Sequence, residues 1–282
     1  MDIALLREWL GRVETRSDRI TAAPIAALAA TLDREEPPPA EGDPLPPLRH
    51  WLYFQPLHRQ SESGPDGYAL GGAFLPPVSL PRRMWAGSRV RFHQPLRVGD
   101  EVSRVSRIAD ISRKQGRGGP LVFVQVRHEL SNGQGLALSE EQDIVYRDRQ
   151  RHDGSASLPR AAPVDCQWMR VVQPDPTLLF RYSALTFNAH RIHYDRHYAT
   201  QTAAYPGLVV HGPLIATLLL DTAWRKLRGP PLAQFSFRAI RPIFDTAPFK
   251  VCGRLEKDGK TLTLWCQDAE GWLAMEARAD LD

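Results

Sequence analysis

The chain has 282 residues, enough for one large domain or two of about 140 residues each. At 43% hydrophobic and 24% charged it falls outside the disordered and fibrous classes. The formal charge of +4 comes from scattered arginines without a block of like charges, which argues against nucleic-acid binding and suits an anionic small ligand.

Ile3, Leu6, Leu10 and Val13 recur at helical spacing and predict an N-terminal helix; a second short helix is predicted over residues 25 to 32. The opening segment is charged every few residues and has no apolar h-region, so a signal peptide is not expected. No apolar run reaches the roughly 18 residues of a membrane span. Cys166, Cys252 and Cys266 are odd in number and lack CxxC spacing, so neither a disulfide framework nor a structural zinc site is expected. A cytoplasmic protein without contact to membrane or nucleic acid is the resulting expectation.

PPPAEGDPLPPL (37 to 48) forbids helix and central strand and reads as an extended connector. The Gly- and Pro-rich stretch from Trp51 to Pro81 should be irregular, yet it is too apolar to be disordered. Strand signals dominate from Arg89. SRVRFHQPLRVGDEVSRVSRIADI alternates apolar and polar residues, and SNGQG separates two further strands as a hairpin turn.

Residues 235 to 281 show a related pattern. Overlaying Val90-Arg91 on Phe237-Arg238 brings Pro95 onto Pro242 and Leu96 onto Ile243 with one constant offset, which predicts an internal duplication. QRHDGSASLPRAAP (150 to 163) reads as the linker, giving units of 1–150 and 151–282. GPLIATLLLDTAWRKL (212 to 227) is the clearest helix, with Pro in its first turn and apolar residues nearly all round until Asp221. A buried helix with antiparallel strands wrapped about it is an α+β unit.

LTFNAHRIHYDRHYA (185 to 199) places His190, His193 and His197 beside Asn188 and Asp195. The three imidazoles fall at i, i+3 and i+7, so a metal site is one reading. HExxH is absent, however, and no metal is expected. No GxSxG, P-loop or GxGxxG stands out, and no cofactor is expected either.

This stretch resembles the signature of MaoC-like enoyl-CoA hydratases, approximately S-G-D-x-N-P-hydrophobic-H-x-D. Thr186 lies at the Ser, Asn188 at the Asp, His190 at the Asn and Arg191 at the Pro; Ile192, His193 and Asp195 match outright, and Tyr198-Ala199 continue the agreement. Val209, His211 and Gly212 match the family's downstream V-x-H-G. YFQP (53 to 56), residues 67 to 92 and PLRVGDEV resemble the two-domain branch that contains mesaconyl-C4-CoA hydratases, itaconyl-CoA hydratases and 3-hydroxyacyl-thioester dehydratases.

The resemblance covers the chain from about Trp51 to its end. It implies a double hotdog: two repeats, each an antiparallel sheet wrapped around a central helix, the N-terminal one degenerate. It also implies a hydro-lyase that takes an acyl-CoA thioester, CoA being part of the substrate. Short branched dicarboxylic acyl groups are favoured, with itaconyl-CoA or mesaconyl-C4-CoA hydrated to citramalyl-CoA.

His193 is then the expected base, with Asn188 orienting the water and Asp195 able to orient or polarise the imidazole. An imidazole titrates near pH 6.5, and a positioned base contributes about 10²–10⁴-fold. Asn188 departs from the family's Asp and cannot itself act as a base. Gly212, at the start of the buried helix, would offer its N–H to the enolate oxygen. His211 and His190 are assigned to substrate binding, although both also suit structural roles. Arg82 and Arg83, with Trp85, are assigned to a substrate carboxylate or a CoA phosphate, with solvated surface arginines as the alternative.

A thioesterase, a long-chain 3-hydroxyacyl-thioester dehydratase of fatty-acid synthesis and a non-catalytic acyl-CoA-binding protein are the alternatives. Association of two double-hotdog chains into a homodimer stays open.

Overall fold

A computed structural model describes residues 3–70, 74–116, 119–148 and 159–282. The first nine residues of the expected linker at 150–163 therefore lie outside the described chain; only 159–163 fall within it.

The chain opens with a short helix α1 (Ile3–Arg7) and an edge strand β1 (Val13–Arg19), followed by helix α2 (Ala22–Thr31). After the 3-10 turn Arg49–Leu52 come β2 (Arg82–Phe92), β3 (Glu101–Gly116), β4 (Gly119–Asn132) and β5 (Gly135–Arg147). The second half runs β6 (Trp168–Val172), α3 (Pro176–Leu185), α4 (Gly212–Leu227), then β7 (Leu232–Ala239), β8 (Phe249–Leu255), β9 (Thr261–Gln267) and β10 (Leu273–Leu281). No described helix is long and apolar enough to cross a membrane.

All ten strands form one antiparallel sheet in the order β1-β3-β4-β5-β2-β7-β10-β9-β8-β6. Read from the two outer edges inward, the halves have the same connectivity, and β2 and β7 meet at the centre. Arg89 pairs with Ser236 in the middle of that five-residue register, the same 147-position separation as Val90 and Phe237. The duplication thus carries a local two-fold axis through the Arg89–Ser236 pair.

Buried Leu214, Ile215, Leu218, Leu219 and Ala223 of α4 share a core with Val251, Leu262, Leu264 and Met275 of the sheet beneath. Burial of each such side chain stabilises by roughly 1.5–3 kcal/mol. The first repeat builds its core from Ile25, Leu28, Leu48 and Leu52 against Val90, Val102 and Leu130, without a sixteen-residue helix among its described residues. Its degeneracy takes that form.

Where the second repeat is apolar, the first holds a polar knot. Buried Glu140 accepts hydrogen bonds from Ser88 Oγ (2.5 Å) and Trp51 Nε1 (3.1 Å) and meets His50 Nε2 at 3.2 Å. Burial works to raise the Glu140 pKa, but the hydrogen bond and charge of His50, with His128 and Ser88, hold it down to about 2. The knot ties the turn 49–52 to the sheet and carries Trp51 to Trp85, whose rings stand 5.1 Å apart.

The N-terminal helix is shorter than its spacing predicts. Arg7 ends it, Gly11 turns the chain at φ +77°, and Val13 opens a polar strand that pairs with β3.

Candidate active site

Asp175 caps α3 by accepting from the N–H groups of Thr177 and Leu178, with Pro176 following it in the first turn. The helix ends at Leu185, and Phe187 adopts φ +49°. The Asn188 N–H then donates to Ser183 O at 2.8 Å, while Asn188 Oδ1 accepts the His190 N–H at 3.0 Å. This Asx turn fixes the entry to the 3-10 turn Arg191–His193.

The first repeat clamps the loop from outside. Asp66 O accepts from the Arg191 N–H and Pro65 O from its guanidinium, both at 2.9 Å. Gly67 approaches so closely, at φ +91°, that a Cβ there would lie 1.8 Å from Ala189 O. Any side chain at position 67 would push the loop away.

His193 is 7% exposed, and its Nδ1 lies 2.7 Å from Val209 O. A carbonyl only accepts, so Nδ1 carries the proton and Nε2 keeps its lone pair. His211, immediately before α4, stacks on His193 with ring centres 3.7 Å apart and planes 18° apart. Its Nε2 meets Ser183 Oγ at 2.8 Å, and its Nδ1 is buried without a protein partner. His190 stands edge-on to His193 at 5.5 Å and against Tyr68 at 4.3 Å.

Burial pushes all three imidazoles down. His193 falls to about 4 despite its bond to Val209 O. His190 falls to about 3, helped by His193 and Arg83, and His211 lies well below its ordinary value. All are neutral at physiological pH.

These groups line a cavity of about 250 Å³. Of the residues expected from sequence, Asn188, His190, His193, His211, Gly212, Arg82 and Arg83 all line it. Gly212 is the first residue of α4, so its N–H has no partner within the helix. A Cβ there would meet nothing closer than Trp85 O at 3.9 Å, so packing does not demand glycine.

Asp195 is brought to none of the three cavity imidazoles, His190, His193 and His211. Its Oδ2 accepts from Arg191 Nε (3.0 Å) and NH2 (2.8 Å), and its Oδ1 accepts the Tyr198 N–H at 2.9 Å. It braces the turn beyond His193 rather than polarising the imidazole. His197 is exposed and absent from the cavity wall. Among the described residues no group of three or more His, Cys, Asp or Glu is placed to hold a metal ion.

Trp85, grouped with Arg82 and Arg83 from sequence, lines the cavity as well, whereas sequence reasoning missed Tyr68 and Arg147. Tyr68 stood inside the stretch that carried the family resemblance, and Arg147 had no local signal at all.

A neutral imidazole with a free Nε2, facing a helix N-terminus in the crease of a duplicated hotdog sheet, defines a hydro-lyase of the hydratase–dehydratase type. A family model described as hydroxyacyl-thioester dehydratase type 2 matches residues 48–245. The chain belongs to this MaoC-like hotdog family.

It is 46% identical over 278 residues to a mesaconyl-C(4)-CoA hydratase from Chloroflexus aurantiacus, covering 97% of this chain and 96% of that protein. It is 28% identical over 270 residues to a mitochondrial hydroxyacyl-thioester dehydratase type 2 from Schizosaccharomyces pombe, covering 83% and 88% of the two chains. Among solved structures it resembles a double-hotdog protein from Mycobacterium tuberculosis at 14% identity and a TM-score of 0.59, covering 96% of each chain.

Proposed function

We propose that the protein hydrates the double bond of a short dicarboxylic enoyl-CoA, mesaconyl-C4-CoA or itaconyl-CoA, to citramalyl-CoA in the cytoplasm. Residues 151–282 carry the chemistry and residues 1–150 complete the acyl pocket.

The observation that carries this reading is the tautomer of His193, whose Nδ1–H is tied to Val209 O while Nε2 is left to the cavity. Water bound at Nε2 loses a proton to it as the hydroxyl bonds to Cβ. The electron pair of the double bond moves toward the thioester, whose oxygen takes the Gly212 N–H at the positive end of α4. The imidazolium then returns the proton to Cα, so one water is added in full. A histidine whose pKa is near 4 is a strong acid once protonated, which favours that return.

Asn188 orients the water in this step. Its Oδ1 already accepts the His190 N–H, and its Nδ2 donates to the water. A cavity of about 250 Å³ lies at the small end of ligand pockets, which favours a short acyl group over a long tail. The match to mesaconyl-C(4)-CoA hydratase over nearly the whole chain supports the same substrate class.

Incubation with each of the two thioesters tests the reading. Loss of enoyl-thioester absorbance, gain of one water in the product mass and no free thiol is the expected result. Released thiol would identify a thioesterase instead. Conversion of long 3-hydroxyacyl thioesters alone would make the protein a fatty-acid dehydratase, and binding without conversion would make it a carrier.

A further inference from the structure

The cavity wall carries more positive charge than the hydration chemistry uses. Arg82 pairs with Arg147 and Arg83 with Tyr146 across the β2–β5 register, and all three arginines line the cavity. Among the described residues none of the three has a carboxylate within ion-pair range. Arg241, also on the wall, is paired with Asp268 at 3.4 Å. Asp66 is the one carboxylate on the described wall, and its Oδ1 accepts the Tyr68 N–H at 3.0 Å. With the imidazoles neutral, three guanidiniums face one carboxylate.

The three arginines are not equivalent. The Arg82 guanidinium donates to Ala203 O at 2.7 Å and lies 4.8 Å from the centre of the Tyr205 ring, so it braces the wall. Arg83 lies 4.0 Å over the Tyr68 ring, and Tyr68 and Tyr146 beside it raise its pKa without neutralising it. Arg147 Nε is buried and has no hydrogen-bond partner. A half-buried guanidinium without a counter-charge is costly, and a substrate carboxylate offsets that cost.

The local two-fold supplies a control within the molecule. The positions 147 residues beyond Arg82 and Arg83 are Gly229 and Pro230, which line a separate cavity at the other end of α4. The arginine pair on β2 is therefore a feature of the catalytic end only.

We propose that Arg83 forms the receptor for a carboxylate at the far end of the acyl group, and so selects dicarboxylic monothioesters over plain acyl thioesters. The proposal rests on the hydratase reading only in taking this cavity as the acyl site. Tyr68, stacked between Arg83 and His190, holds the receptor at a fixed distance from the base. The repeat without a catalytic loop thereby becomes the part that chooses the substrate.

Binding of two saturated ligands, succinyl-CoA and butyryl-CoA, tests this without any turnover. They share the CoA moiety and differ in the terminal carboxylate. The full-length protein should bind succinyl-CoA at least about tenfold more tightly, tenfold being about 1.4 kcal/mol. Arg83→Met should bring succinyl-CoA toward the affinity of butyryl-CoA and leave butyryl-CoA unchanged, while Arg147→Met, beside Arg82 on the other face of the β2–β5 pair, keeps the preference.

Equal affinities in the unaltered protein overturn the proposal, whether or not hydration is observed. Equal weakening of both ligands in Arg83→Met also overturns it, and assigns the arginine to CoA phosphates. His193→Ala should retain the preference while losing turnover, which separates failure of the receptor from failure of the hydratase reading. Should Arg83→Met fail to fold, the comparison in the unaltered protein still decides the matter, and Arg83→Lys, which keeps the charge but loses the fork, should keep only part of the preference.

Discussion

At the scale of single residues, the site is a set of side chains whose roles are decided by what they already touch. His193→Ala should reduce kcat by about 10²–10⁴-fold, the usual contribution of a positioned base, while leaving affinity for a saturated thioester in place. Because the His193 pKa is held near 4, kcat/KM should show no acid limb at the ordinary histidine value near pH 6.5. A pH profile falling by half near 6.5 would show that burial does not depress His193 in the working enzyme. Gly212→Ala should fold normally, since its Cβ finds ordinary contact distances, yet lower kcat/KM by crowding the thioester. An unchanged melting temperature with undiminished activity would refute that.

The sequence made His193, Asn188 and Gly212 visible because they sit together in two short motifs. It could not place Asp195, because motif letters carry identity and no direction. The turn at 191–193 sends that carboxylate back to Arg191. Arg147 was invisible for another reason: it acquires its place only when β5 pairs with β2, 65 positions away from Arg82 in the chain.

At the scale of elements, legibility followed the strength of the pattern. The predicted helix over 212–227 has those bounds in the structure, because a near-continuous apolar surface with Pro in its first turn admits few alternatives. The N-terminal helix was overextended to Val13 because Leu10 and Val13 extend an i, i+3, i+4 pattern although both are exposed. α3 was missed although Asp175-Pro176 is a sound start signal; only Leu179, Tyr182 and Ser183 of its ten residues are buried, leaving a faint stripe.

That cap has a measurable function. Asp175→Ala should cost about 1 kcal/mol of stability. Since α3 carries Ser183 to His211 and leads directly into Asn188, the loss should also appear as a lower kcat. Chemical denaturation and steady-state kinetics on the one variant check both outcomes.

At the scale of the whole molecule, the sheet is continuous across β2 and β7, and one core cluster contains residues of both repeats. Unfolding monitored by tryptophan fluorescence and by far-ultraviolet circular dichroism should therefore coincide in a single transition. Two separated transitions would mean that the repeats unfold independently.

Acid should weaken the fold in a defined window. His193 and His190 have folded pKa values of about 4 and about 3, below the ordinary 6.5 of an unfolded histidine. As pH falls from 6.5 through these values the unfolded chain takes up protons first, so stability is lost there and is retained above 6.5. Glu140, held at about 2, adds its own loss only between about 4.5 and 2. His193→Gln should flatten the upper part of that decline, as read from melting temperature against pH.

The Arg89–Ser236 axis has a further consequence for how such a site can change. In an assembly of two identical chains, a substitution beside the axis is written into both ends at once, and each end must tolerate it. Joining the repeats in one polypeptide removes that obligation. Arg82 and Arg83 can stand at one end while Gly229 and Pro230 stand at the other, so substrate preference can drift at the working end and leave its mirror image free.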